Sequence, residues 1–178
     1  LSVTIAIPLP FSPAPITLQT LGIMLAPALL GWKRGTLAVA AFIALGLAGL
    51  PLFAGGMGGI GVLARPTGGF IVSWVLAALV IGVLPDLMTR QGRYRFWPGL
   101  GINVVGGILV IYAIGIPWMA VVAGSGALAI TYSMLAFLPG DLIKAVVTAL
   151  IAQAVLRAYP IPPAGRPVVE ADGGGETA

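Results

Sequence analysis

Five stretches of the chain carry no charged side chain: 1–32, 35–64, 66–85, 96–140 and 145–156. A helix needs about 20 apolar residues to cross the hydrocarbon core of a bilayer, and several of these stretches are long enough to do so. Only 8% of the 178 residues are charged, against about 25% in an ordinary soluble domain. Too few charges remain to keep such a surface in water, whereas lipid accepts it directly. The same scarcity limits the chemistry. There is no histidine and no cysteine, which removes imidazole bases, thiol nucleophiles, disulfides and Cys/His metal sites. Glu170, Asp172 and Glu176 cluster near the C-terminal end, so Asp86 and Asp141 are the only carboxylates in the body of the chain.

Apolar content and Gly/Pro punctuation place helices at 15–32, 35–50, 67–85, 98–116 and 139–157. If these alternate in direction, Lys33, Arg34, Arg90, Arg93, Arg95, Arg157 and Arg166 share one side, Arg65 lies on the other, and Lys144 lies within a helix. The positive-inside rule makes the richly basic side cytoplasmic, and the C-terminus with it. Residues 117–138 are apolar enough for a sixth crossing, but that crossing would move Arg157 and Arg166 outside. Gly124-Ser125-Gly126 and Thr131-Tyr132-Ser133 favour a hairpin-like or surface-lying segment on the outer side. Pro8, Pro10, Pro13 and Pro15 keep the opening residues out of a continuous helix. The tail from Tyr159 is rich in Pro, Gly and charge, as flexible segments are. The expected organisation is one transmembrane helical domain, 1–158, and a flexible cytoplasmic tail, 159–178.

Two features could carry chemistry. Asp141 and Lys144 stand three positions apart, just after Pro139-Gly140 opens the last helix, and this spacing puts them on one helical face. They could neutralise each other, or Asp141 could serve the positive end of the helix. Charged side chains in a membrane segment are expensive, however, and by default mark a site. The second feature is the glycine-rich stretch from Phe53 to Phe70, with Gly55, Gly56, Gly58, Gly59, Gly61, Gly68 and Gly69. It formally contains GxGxxG, but no strand–helix unit surrounds it, so it is uninformative as a nucleotide fingerprint. It is either a plain hairpin between membrane helices or a loop whose backbone approaches a ligand closely. Topology brings this loop and the Asp141–Lys144 pair to the same outer side.

Other features are open in the same way. Ala40-Ala44-Ala48 and Gly22-Ala26 allow close helix contact, within the chain or with a partner membrane protein. Trp32, Trp97 and Trp118 lie near helix ends as interface anchors, while Trp74 falls inside its helix, where it could line a cavity. Gln19 and Thr20 are either satisfied interhelical hydrogen bonds or pocket donors. No GxxxxGK[ST] occurs, so uphill transport would need an outside ATPase. Two carboxylates are a poor supply for a proton relay. The basic residues are arranged as membrane topology and not as a nucleic-acid-binding stripe.

The segments PITLQTLG, GLPLFAGG, PTGG and FLPGDLIK resemble the BioY family, the biotin-specific substrate-binding (S) components of energy-coupling-factor transporters. Tyr112, Gly115 and Trp118 are compatible with that pattern. The resemblance implies an all-α integral membrane protein, a compact bundle usually of six spans. About five are expected here, with residues 1–7 as a remnant of the first. It implies biotin captured from the outer side of a bacterial inner membrane, no other cofactor, and docking on a transmembrane coupling subunit driven by two ATP-binding cassette subunits. Arg65, where the family commonly has glycine, carries no family role. Biotin's ureido group presents N–H donors beside a carbonyl acceptor, complementary to acceptor-only Asp141 and donor-only Lys144. Lys144 on the ligand's carboxylate is the alternative pose. Phe53, Met57 and Phe70 would form apolar walls, with Gly55, Gly56, Gly58 and Gln19 adding contacts. A stand-alone biotin carrier is the other functional reading, and an integral-membrane enzyme is disfavoured by the missing catalytic residue types.

Overall fold

Proline and glycine decide where helices start and stop in this chain. The computed structural model describes residues 6–9, 12–88 and 94–159. The proline-rich opening forms an antiparallel hairpin, β1 (Ala6–Leu9) with β2 (Ser12–Thr17), pairing Ile7 with Ile16. Ala6 and Ile7 are therefore extended, where a helical remnant over 1–7 is expected. Residues 1–5 lie outside the described residues. The expected helix start at 15 moves to Gln19 because Pro15, Ile16 and Thr17 belong to β2.

Helix α1 spans Gln19–Leu47, but Gly31 at φ 74°, ψ 179° divides it into arms 19–30 and 32–47. A left-handed φ of this kind is readily adopted only by glycine. The arms fold back on each other. A Cβ added at Gly35 would fall on the Cα of Pro27, although residues eight apart in a straight helix are about 12 Å apart. At the far end, Gln19 Nε2 donates to the Leu52 carbonyl at 2.8 Å. Among the described residues, four helices are long and apolar enough to cross a membrane, Gln19–Leu47 among them. The bend makes that helix two antiparallel arms, as expected for 15–32 and 35–50.

Helix α2 covers Gly68–Met88. Next comes one long rod: α3 (Phe96–Val104), a π-helical segment Val105–Val110, and α4 (Ile111–Ala123). The expected helix over 98–116 thus runs on to Ala123. Pro117 does not stop it; the end comes at Gly124, left-handed at φ 62°, a common way for helices to finish. Residues 117–138 are consequently not one surface segment. Their first part extends α4, and the rest holds α5 (Ala127–Leu135). At nine residues, α5 is about 13 Å long, too short to cross. Its Ile130 and Met134 pack on Met119 and Ala120 of α4. Helix α6 spans Leu138–Ala158, with proline in its first turn.

Alternating directions bring Trp32 against Gly82 and collect Ala28, Ile81, Ile102 and Ala152 in one cluster. Lys33, Arg34, Arg95 and Arg157 lie at that end. Arg90, Arg93, Arg166 and all of the expected tail beyond Tyr159 lie outside the described residues. Arg65 sits at the opposite end, where the second core cluster gathers Ile43, Phe53, Val62, Ile71 and Trp74. Ala44 and Ala48 face outward, so the small-residue stripe is not an internal seam.

The contact at Gly35 gives a test. Gly35→Val should cost about 1–3 kcal/mol by overpacking against Pro27, whereas Gly22→Ala, with open space around it, should be neutral or gain up to about 1 kcal/mol of helix propensity. Thermal unfolding of the two variants in mild detergent checks both signs.

Candidate functional site

At the end of the bundle away from the basic cluster, the arms diverge around a cavity of about 220 Å³. Most of its wall is apolar because the facing positions are Phe53, Met57, Phe70, Ile71, Trp74, Ile111, Met134 and Phe137. Phe42, Phe53 and Trp74 form a ring cluster with centroids 6.1–6.3 Å apart, and Phe70 meets Tyr112 edge-on at 6.4 Å. Aromatic pairs in these geometries hold one another rigidly.

One side of this wall is polar. Asp141 occupies the first turn of α6, where the helix dipole favours an anion. Lys144 Nζ lies 2.9 Å from Asp141 Oδ1, and both side chains are almost fully buried. Tyr112 on α4 donates its hydroxyl to Asp141 Oδ2 at 2.7 Å. Lys144 also donates to Thr20 Oγ1 on the first arm of α1 at 3.0 Å. Four groups from three helices therefore share one network, and it holds the single ion pair among the described residues.

The network is not saturated. An ammonium has three N–H donors and each carboxylate oxygen can accept more than once. Two of the Lys144 donors are used and each Asp141 oxygen has one partner. What remains is a donor beside acceptors on the wall of an apolar cavity, a surface suited to an uncharged group that both donates and accepts, such as an amide or a urea. The two charges thus pair with each other, and both line the cavity.

Of the other expected residues, Gln19, Phe53, Met57 and Phe70 line the cavity. Gln19 is buried, and its amide nitrogen fixes the loop at Leu52. Gly55, Gly56 and Gly58 do not reach the lining. Gly55 and Gly56 take positive φ in a tight turn closed by Phe53 N–H to the Met57 carbonyl at 2.9 Å, so they shape the loop that presents Phe53 and Met57. The amino-acid pattern marks Tyr112 only as one member of a set, and gives Arg65 no role. Arg65 lines the cavity and is exposed at its mouth; its carbonyl accepts from Trp118 Nε1 at 3.3 Å. Its signal in the sequence is that it is the one cation on its side of the topology. Thr20, paired with a lysine 124 positions away, has no signal beyond being polar in an apolar helix.

Comparison with known proteins points the same way. Residues 1–161 match the model of the BioY family. A protein of Rhizobium etli named biotin transporter BioY is 43% identical over 161 residues, covering 89% of this chain and 86% of its own. A protein of the same name from Rhodobacter capsulatus is 43% identical over 164 residues, covering 87% and 85%. Among solved structures, the S-component for biotin from an ECF-type ABC transporter superposes with a TM-score of 0.82 at 36% identity, covering 85% of this chain and 80% of that one.

Removing one member of a buried pair leaves an uncompensated charge. Lys144→Met should therefore lower the stability of the ligand-free protein by about 3 kcal/mol, while Asp141→Asn with Lys144→Met should recover most of that loss. Thermal melts of the single and double variants in detergent provide the comparison.

Proposed function

The chain belongs to the BioY family, and from that membership we propose that it is the membrane-embedded capture subunit for biotin uptake, an S component served by an ATP-driven energy-coupling-factor module. The observation that carries the reading is the Asp141–Lys144–Tyr112–Thr20 network on the wall of an apolar cavity. Biotin's ureido N–H groups donate to Asp141 and its ureido oxygen accepts from Lys144. The thiolane ring and alkyl chain lie among Phe53, Met57, Phe70 and Trp74.

Electrostatics selects between the two poses. Placing the ligand's carboxylate at Lys144 would set a second anion beside Asp141, with like charges close together in a poorly solvated site. At the mouth, Arg65 offers a partly hydrated guanidinium whose fork matches a carboxylate in two hydrogen bonds. The carboxylate therefore points outward to Arg65 and the ureido ring inward. Met57 and Arg65 belong to the connection over 51–66, which closes over the ligand.

The cluster of Lys33, Arg34, Arg95 and Arg157 at the opposite end supports a cytoplasmic assignment for that end. The cavity then opens outward from a bacterial inner membrane, and the C-terminus is cytoplasmic. The chain carries no phosphate-binding loop of its own; a transmembrane coupling subunit and two ATP-binding cassette subunits supply the energy, and the protein performs no covalent chemistry on its cargo.

Isothermal titration of the purified protein tests the pose. Asp141→Asn should weaken biotin binding about 30-fold, the loss of charge-assisted hydrogen bonds of about 2 kcal/mol. Arg65→Gln should weaken biotin about tenfold yet leave biotin methyl ester unaffected, since the ester presents no carboxylate. Equal losses for acid and ester, or wild-type affinity in Asp141→Asn, would refute the arrangement. In liposomes, net biotin entry should require the ATPase module; entry through this chain alone would identify a stand-alone carrier.

A further inference from the structure

Helix α6 has a particular difficulty in lipid. Its outward residues, Leu142, Ile143 and Leu150, are apolar, and its buried ones are the small Ala145, Ala149 and Ala152 with the polar Asp141 and Thr148. A bilayer is as apolar as a protein core, so hydrophobicity does not choose which face of such a helix turns inward; close packing of its small face and directional polar bonds do. Two such bonds are part of the cavity itself, Tyr112 to Asp141 and Lys144 to Thr20. A third lies outside the cavity: Asn103 on α3, completely buried, donates its side-chain amide to the Ala145 carbonyl at 3.2 Å. Burying an amide costs free energy where it is unpaired; the nitrogen of this one is paired with α6 at the residue after Lys144, while its Oδ1 is buried without a partner among the described residues. The contacts at 141 and 145 bracket the ion pair.

The backbone between the donors of α3 and α4 is also unusual. The π-helical segment Val105–Val110 separates Asn103 from Tyr112. A π turn takes up an extra residue and changes the rotational phase of the helix beyond it, so that α3 can present Asn103 and α4 can present Tyr112 to the same helix.

We propose that Asn103 is a positioning residue for ligand capture: its hydrogen bond to Ala145 sets the rotation of α6 that turns Asp141 and Lys144 into the cavity. The inference rests on the reading that these two side chains bind the ureido group. Asn103 touches no ligand and acts only through α6.

A double-mutant cycle on the purified full chain tests this, with biotin affinity measured for wild type, Asn103→Leu, Asp141→Asn and the combined variant. Leucine keeps the volume of asparagine and removes the donor, and the Ala145 carbonyl lies within helix α6, so the ligand-free melting temperature should change little. Asn103→Leu should weaken biotin about tenfold in the wild-type background and about twofold or less in Asp141→Asn, because the carboxylate it positions no longer contributes fully. The same factor in both backgrounds would show a general structural effect and overturn the proposal. So would wild-type affinity in a folded Asn103→Leu protein. If the leucine variant does not fold, Asn103→Ser, too short to reach α6, is read by the same cycle. Unchanged affinity in Asp141→Asn alone would instead strike the ureido assignment, which separates failure of that reading from failure of this inference.

Discussion

An ammonium and a carboxylate 2.9 Å apart, shielded from water by helices, organise this molecule. Removing both ions from solvent costs more than their attraction returns unless other hydrogen bonds complete the pair. Here the completion comes from Tyr112 and Thr20, on two further helices. The pair therefore ties α1, α4 and α6 together at one depth, and nearly every other feature of that end of the bundle can be understood as bringing those three helices within reach. The bend at Gly31 returns the chain so that Thr20 and the loop after α1 share an end. The π-helical segment turns Tyr112 toward Asp141. The first turn of α6 supplies a dipole that favours the anion.

The two ends of the bundle divide the work. The basic end is built for orientation: its charges are exposed, and its packing relies on close backbone approach, as at Gly35 against Pro27 and Trp32 against Gly82. The cavity end is built for selectivity, with aromatic rings holding shape and a few polar atoms holding direction. Small-molecule sites generally combine an apolar lining with a small number of placed polar groups. The loop over 48–67 closes this end and is fastened at a few points: Gln19 to Leu52, Gly59 N–H to the Gly46 carbonyl at 2.7 Å, and Trp118 to Arg65. The same loop also sends Phe53 and Val62 into the core cluster, so it is anchored by packing as well as by these bonds.

Much of this is legible in the sequence because membranes simplify the code. With no charge over long stretches, helix positions follow from apolar runs, and Lys33, Arg34, Arg95 and Arg157 gather at one end of the bundle. Asp141 and Lys144 stand out because an ion in a greasy segment has few alternatives to a partner or a site. The misjudged parts depend on backbone detail. Pro117 looks like a boundary, but proline is tolerated inside apolar membrane-type helices, where neighbouring groups re-satisfy the freed backbone, and the stop comes at Gly124. Gly55, Gly56 and Gly58 look like ligand contacts because glycine serves both close approach and tight turning, and a single chain does not say which. Thr20, Tyr112 and Asn103 act across 124, 29 and 42 positions, distances at which periodicity carries no information.

Under the proposed function, the unsaturated state of the ion pair bears on how a ligand would be captured without separating the pair. A site that had to separate Asp141 from Lys144 in order to bind would lose their mutual attraction in a low-dielectric setting, a heavy penalty to recover from one small ligand. A ligand that uses only the spare donor and the spare lone pairs leaves the pair intact and gains the charge-assisted bonds in full. It also adds no net charge at that depth, provided its own carboxylate stays at the mouth. The same division explains why a single cation at the otherwise uncharged end is useful at position 65. There it is half in water, where holding it costs little, and it can meet an anion before the uncharged ring reaches the interior. The order of contacts, charge first at the rim and hydrogen bonds later at the wall, follows from where the dielectric allows each to be placed.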